Sequence, residues 1–243
     1  SVESAESVES AESVESAESA EETPATYGAH PAPWKVTCPD GEEEYVFDFK
    51  PGDGRKLHEG ERITEDGPVY FDKFQPPKWN PKGKKKCIGA GIWNEDANID
   101  DNDLLGCVDC NLLVVTESQS TDTHIDDCAR GGSMIRLELK PPQRLLRFGF
   151  WDNEKSGSRF GWKNDDPEIG YTSVKIPTTG DDEGVSVDIS GNKIAPPSNV
   201  KYVVIKYSGS GGLQNMTLCK PKPPEAVSPP AVIGDPHIHT IEG

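Results

Sequence analysis

The sequence predicts an all-β protein, an antiparallel β-sandwich of jelly-roll-like type with a disordered acidic N-terminal tail. Three observations predict it. Residues 45–219 carry short alternating or apolar runs separated by Gly, Pro, Asp and Asn; no window of helical periodicity competes with them; and residues 1–18 are three copies of SVESAE, a unit without an apolar face to stack. About ten strands at roughly regular spacing, with turn residues between, is the signature of a sandwich or jelly roll.

Taken in order, the runs are YVFDF at 45–49, VYFDKF at 69–74, CIGAGIW at 87–93 and LLVVTE at 112–117. MIRLEL at 134–139 and LLRFGFW at 145–151 follow. The remaining runs are YTSVKI at 171–176, GVSVDI at 184–189, VKYVVIKY at 200–207 and LQNMTL at 213–218. Each is rich in β-branched, aromatic or aliphatic residues, the composition that fits a pleated, half-buried surface. In the fifth, Ile135, Leu137 and Leu139 alternate with Met134, Arg136 and Glu138, which puts one face in a core and the other in water.

Outside these runs the composition shifts. Residues 1–23 form the acidic repeat tail, 24–44 a lead-in, 45–219 the sandwich, 220–233 a Pro-rich linker and 234–243 the start of a further module. Every serine from Ser1 to Ser19 has Glu two residues later, a pattern resembling secretory-pathway kinase sites. Phosphorylated, the tail would be a dense polyanion able to gather calcium or mineral surfaces; unmodified, it is a soluble spacer.

The 42 acidic residues outnumber the 25 basic ones, for a net charge of −17, which argues against nucleic acid as a partner. The short basic cluster KGKKK at 82–86 reads as a solvated loop or as a contact for an anionic polysaccharide. No window approaches eighteen uninterrupted apolar residues, so no membrane insertion is expected. The chain opens at Ser1 rather than Met, which reads as a mature or excised piece of a longer protein.

Six cysteines, Cys38, Cys87, Cys107, Cys110, Cys128 and Cys219, suit disulfides in an oxidising compartment, and Asn215-Met216-Thr217 is an acceptor sequon for N-glycosylation. Cys107 and Cys110 have the spacer of a zinc site, with Cys87 and Cys128 as the other two ligands. The missing second Cys-x-x-Cys puts structural disulfides ahead of zinc. Fifteen pairings are open; a bridge between Cys38 and Cys219 would close a very long loop, where the chain-entropy gain is largest.

Two resemblances add context. Gly234, Asp235, Pro236, His237, Thr240 and Gly243 resemble the opening of a von Willebrand factor type D domain, which implies a large secreted, multimodular protein. Phe47-Asp48-Phe49, the Gly-rich turn at 52–60, the acidic loop at 96–104, LLVVTES at 112–118 and the closing YSGSGGLQNMTLC are similar to jelly-roll modules of bacterial and algal surface proteins. That second resemblance implies a binding or structural module, extracellular, secreted or at the cell surface.

Candidate sites fall in two groups. The loop IWNEDANIDDNDLLG offers Asp96, Asn98, Asp100, Asp101, Asn102 and Asp103, oxygen donors suited to calcium, with Asp126 and Asp127 contributing from a second loop. It is not an EF-hand, because Asp101 stands where that loop needs Gly and Cys107 where it needs Glu. Calcium is therefore the expected cofactor, and full solvation of a surface loop is the alternative. For stacking on sugar rings the candidates are Trp162, Trp151 and Tyr171. Trp93 and Trp151 end apolar runs and are expected as buried anchors. Trp162, within the polar SGSRFGWKNDD, is expected to be exposed.

No Gly-x-Ser-x-Gly elbow, His-Glu-x-x-His or phosphate-cradling loop is present, and the five histidines are scattered. The sequence thus reads as a non-catalytic structural or adhesive module whose partners are extracellular glycan, matrix or cell-wall components. A polysaccharide-active enzyme, or its carbohydrate-targeting module, is the alternative.

Overall fold

The computed structural model describes residues 37–49, 54–78, 86–94, 104, 107, 111–121, 125, 127–128, 130–164, 171–180, 182–189 and 197–223. The described residues form eleven β-strands, all paired antiparallel, and no α-helix. The acidic tail, the acidic run at 95–103, most of KGKKK and the type D-like motif lie outside them.

The strands are β1 (Glu42–Asp48), β2 (Arg55–Lys56), β3 (Val69–Gln75), β4 (Cys87–Asn94), β5 (Asn111–Glu117) and β6 (Ser133–Trp151). They continue with β7 (Arg159–Lys163), β8 (Thr172–Lys175), β9 (Gly184–Asp188), β10 (Val200–Tyr207) and β11 (Gly212–Pro221). The 19-residue β6 replaces two predicted runs and belongs to both layers. Residues 133–139 and Gln143 pair with β3 and β10 in sheet II, which continues through β7 to β8. Residues 144–151 pair with β11 and β9 in sheet I, where β11 also meets β1 and β5, and β4 and β2 follow β5. The crossing point is Lys140, Pro141 and Pro142, all exposed. Prolines have no N–H to donate, so neither ladder continues through them. The strand changes sheets where the sequence suggested that it stopped.

The two sheets face each other across one core. Phe148 of sheet I stacks on Phe160 of sheet II with ring centroids 4.0 Å apart, and Phe150 meets Tyr207 at 5.6 Å. The Tyr207 hydroxyl donates to the Leu113 carbonyl at 2.7 Å, tying the layers at a fully buried polar point. Burial pushes its pKa far above the ordinary tyrosine value, and the Asp127 carboxylate adds to the shift, so the phenol stays a donor. The inner face of the alternation at 134–139 holds, with Ile135, Leu137 and Leu139 buried in this core; on the outer face Met134 and Glu138 are half-buried and Arg136 is buried beside Asp72 rather than in water.

β5 is buried on both faces for a separate reason. Leu113 and Val115 point into the main core, whereas Leu112 and Val114 join Trp93, Leu104, Cys107 and Ile125 in a second apolar cluster, against which Trp151 packs. Trp93 and Leu104 are the apolar ends of the acidic loop. Their meeting in one cluster holds both ends of that loop against sheet I.

Two disulfides match the oxidising chemistry expected of the cysteines. Cys38 is bonded to Cys219, spanning 181 residues, and Cys87 to Cys128, spanning 41. Cys107 is disulfide-bonded as well; Cys110 lies outside the described residues. Zinc ligation by Cys87, Cys107 and Cys128 is thereby excluded, since a disulfide sulfur offers no thiolate.

Two elements were not predicted. β2 is only two residues long. β7 lies in the segment whose polar flanks read as a loop, although Phe160 and Trp162 alternate with Arg159, Gly161 and Lys163 as a half-buried strand should. The expectation that Trp162 is exposed is therefore corrected: its side chain is in the main core, 4% exposed, and β7 pairs with both β10 and β8. The polar, Gly-rich flanks concealed a strand whose inward alternation is only two residues long, Phe160 and Trp162.

Candidate functional site

The outer face of sheet II is the most distinctive surface among the described residues. Its registers align side chains from five strands into rows. Residues opposite one another on neighbouring strands share a face, so Tyr70, Glu138, Tyr202 and Lys163 form one row. Lys73, Arg136, Val204, Gly161 and Ser173 form the next, and Gln75, Met134, Lys206, Arg159 and Lys175 the last.

Carboxylates stand among the cations of the first two rows. Glu138 lies 2.7 Å from Lys140 and 3.9 Å from Lys201, and Arg136 pairs with Asp72 while its guanidinium sits 5.7 Å from the Tyr202 ring. The third row is different. Lys206, Arg159 and Lys175 are direct cross-strand neighbours of the same sign, all exposed. Arg159 is held by hydrogen bonds from Nε to the Ser173 hydroxyl at 3.0 Å and from Nη2 to the Ser173 carbonyl at 3.3 Å.

This row opens into a groove of about 650 Å³, floored by Met134 and walled by Pro76, Pro77, Lys78, Arg130 and Lys206. A shallower recess of about 220 Å³ continues from Met134 and Lys206 past Arg159 to Tyr171. Local backbone shapes both. Gly132 has φ +99, which favours glycine, and its N–H donates to the Tyr207 carbonyl at 2.7 Å, holding the β6 start against the β10 end. A side chain at Gly161 would meet the Cβ atoms of Ser173 at 3.2 Å and Tyr171 at 3.3 Å, so glycine here leaves room for Tyr171 over the sheet. No carboxylate lines either recess among the described residues.

Of the residues predicted to take part in function, the structure brings Tyr171 to this face and takes Trp162 into the core. Trp151 sits on sheet I, half-buried against the second cluster. Of the predicted calcium ligands, Asp96, Asn98, Asp100, Asp101, Asn102, Asp103 and Asp126 lie outside the described residues. Asp127 is buried, forms a bridge with Thr116, and accepts the Gly211 N–H at 3.0 Å through one carboxylate oxygen. Among the described residues, one group of metal-ligating types converges, Cys38, Glu42 and Cys219; its two sulfurs are bonded to each other, which leaves no thiolate for an ion. Asn215 is half-buried in β11 beside Gly149, whose missing side chain makes room for its amide.

Sequence reasoning missed Lys206, Arg159 and Lys175, which come one from each of three strands. Their alternation with core residues was the signal that they share outer faces. Nothing in the linear order places them in one row. No described helix is long and apolar enough to cross a membrane. Comparison with protein-family models, with curated proteins and with solved structures finds no match.

Proposed function

We propose that this chain is a non-catalytic extracellular adhesive module that binds carbohydrate on the outer face of sheet II. The observation that carries the reading is the groove there: apolar surface from Met134, Pro76 and Pro77, an aromatic side chain in Tyr171, and polar groups converging on both. Disulfides suit a secreted or cell-surface setting. A glycosidase needs two carboxyl groups flanking the scissile bond, and the described lining supplies none, which favours binding over turnover.

The test is titration calorimetry of the full chain against a panel of neutral and charged glycans. Tyr171→Ala should weaken binding about tenfold or more, the scale of losing one stacked aromatic, and should leave melting nearly unchanged. A chain that retains no member of the panel would sink the reading.

Calcium at the acidic loop is the second part of the proposal. It is supported by the donor set Asp96 to Asp103 and by the joint anchoring of the loop ends, Trp93 and Leu104, in the second cluster. A ligand bound only by the folded state raises stability by mass action. At calcium about a hundredfold above Kd, the melting temperature should rise by about 5–10 °C. Changing Asp96, Asp100 and Asp103 together to Asn should remove the rise. Identical melting with calcium and with chelator would leave the loop a solvated turn.

A further inference from the structure

We infer that the glycan taken by this groove is a polyanion, a polysaccharide bearing sulfate or carboxylate groups; this rests on the carbohydrate-binding reading and names its substrate class. The argument begins with what the fold tolerates. Like charges directly opposite on neighbouring strands are destabilising, yet Lys206, Arg159 and Lys175 occupy successive positions across β10, β7 and β8. Lys78 and Arg130 extend the same sign into the groove beyond Met134. Neighbouring strands lie about 4.8 Å apart, so the three central cations form a line roughly 10 Å long.

On the same sheet the neighbouring rows carry carboxylates among their cations, Glu138 between Lys140 and Lys201 and Asp72 on Arg136, whereas this row carries none. Lys78, Lys175 and Lys206 make no ion pair among the described residues, in a chain with 42 acidic residues against 25 basic ones. A polyanion laid along the row would supply the missing counter-charges, and the net charge of −17 does not prevent it. At physiological salt, exposed charges beyond about 8 Å are largely screened, so the local row decides.

The chemistry favours a glycan over the other polyanions. A nucleic-acid duplex presents a charge about every 1.7 Å and needs a broad basic surface, whereas this row is one side chain wide and flanked by Tyr171, Met134 and two prolines, surfaces for sugar C–H groups. An acidic protein segment would share the charge but has no use for the aromatic ring of Tyr171 beside the row.

The experiment compares the full chain binding to dextran sulfate, polygalacturonate, neutral dextran and a DNA duplex, with salt raised from about 0.05 M to about 0.5 M. The test variant carries Lys175→Gln, Arg159→Gln and Lys206→Gln; the control carries Lys140→Gln and Lys201→Gln, which removes nearby cations that already have a partner. All five positions are on the sheet surface, and melting checks that both variants fold. The expected result is salt-sensitive binding of dextran sulfate or polygalacturonate, weakened about tenfold or more in the test variant and less than about twofold in the control. The preferred polymer then distinguishes sulfate from carboxylate. Equal loss in both variants would reduce the effect to general charge and overturn the inference. Binding of neutral dextran that the test variant keeps would overturn it while leaving carbohydrate binding intact. Tighter binding of DNA than of either charged glycan would overturn the glycan class, and retention of no polymer would remove the carbohydrate reading as well.

Discussion

Replacing Cys38 and Cys219 together by serine is expected to lower stability by about 5 kcal/mol, more than any other single cross-link removal in the described structure. The bridge closes a 181-residue span, and loop-closure entropy in the unfolded chain grows with the logarithm of loop length. The 41-residue span of Cys87–Cys128 gives about 4 kcal/mol on the same basis. Geometry adds to the difference, because Cys38 precedes β1 and Cys219 lies in β11, opposite Glu44 of β1. The bridge thus fastens the first strand to the last. Urea denaturation of the two double variants, each without an unpaired thiol, measures both losses. A larger loss from the Cys87–Cys128 pair would show that local packing around Cys87 and Cys128, rather than chain entropy, governs these cross-links.

Trp162→Ala should cost about 3–5 kcal/mol, the range for truncating a large aromatic in a closed core. The side chain lies among the apolar residues of both sheets, and its strand is held on two sides, by Val203 and Thr172. An exposed tryptophan in a polar loop would change stability by no more than about 0.5 kcal/mol. The urea midpoint therefore separates the structural placement from the expectation raised by SGSRFGWKNDD. Tyr171→Ala makes the matching comparison on the outer face: a small change in stability with a large one in binding. Similar midpoints for Trp162→Ala and the unaltered chain would return Trp162 to the surface and reopen it as a stacking residue.

Much of the framework was legible because strand formation depends on local pattern. The runs at 87–93, 112–117 and 200–207 appear as β4, β5 and β10 with ends shifted by at most one residue. Where the reading departed, a particular residue type was responsible. The runs at 134–139 and 145–151 read as two strands, and the structure uses Pro141 and Pro142 between them as the corner at which one strand changes sheets. Gly161 suggested a loop, and it is a strand position kept small so that Tyr171 can lie over it. In both cases an identical local signal has two structural outcomes, and only the neighbouring strands select between them.

The sequence by itself determined that this chain is all-β, which runs become strands, that Ile135, Leu137 and Leu139 face a core, and that its cysteines suit disulfides. Each of these follows from side-chain period or residue chemistry over a few positions. Only the tertiary structure decided which cysteines pair, that Trp162 is core, and that Lys206, Arg159 and Lys175 stand in one row. Register is the physical reason. It is set by the packing of one whole face against another, so residues far apart in the chain become neighbours through contacts that none of them makes alone.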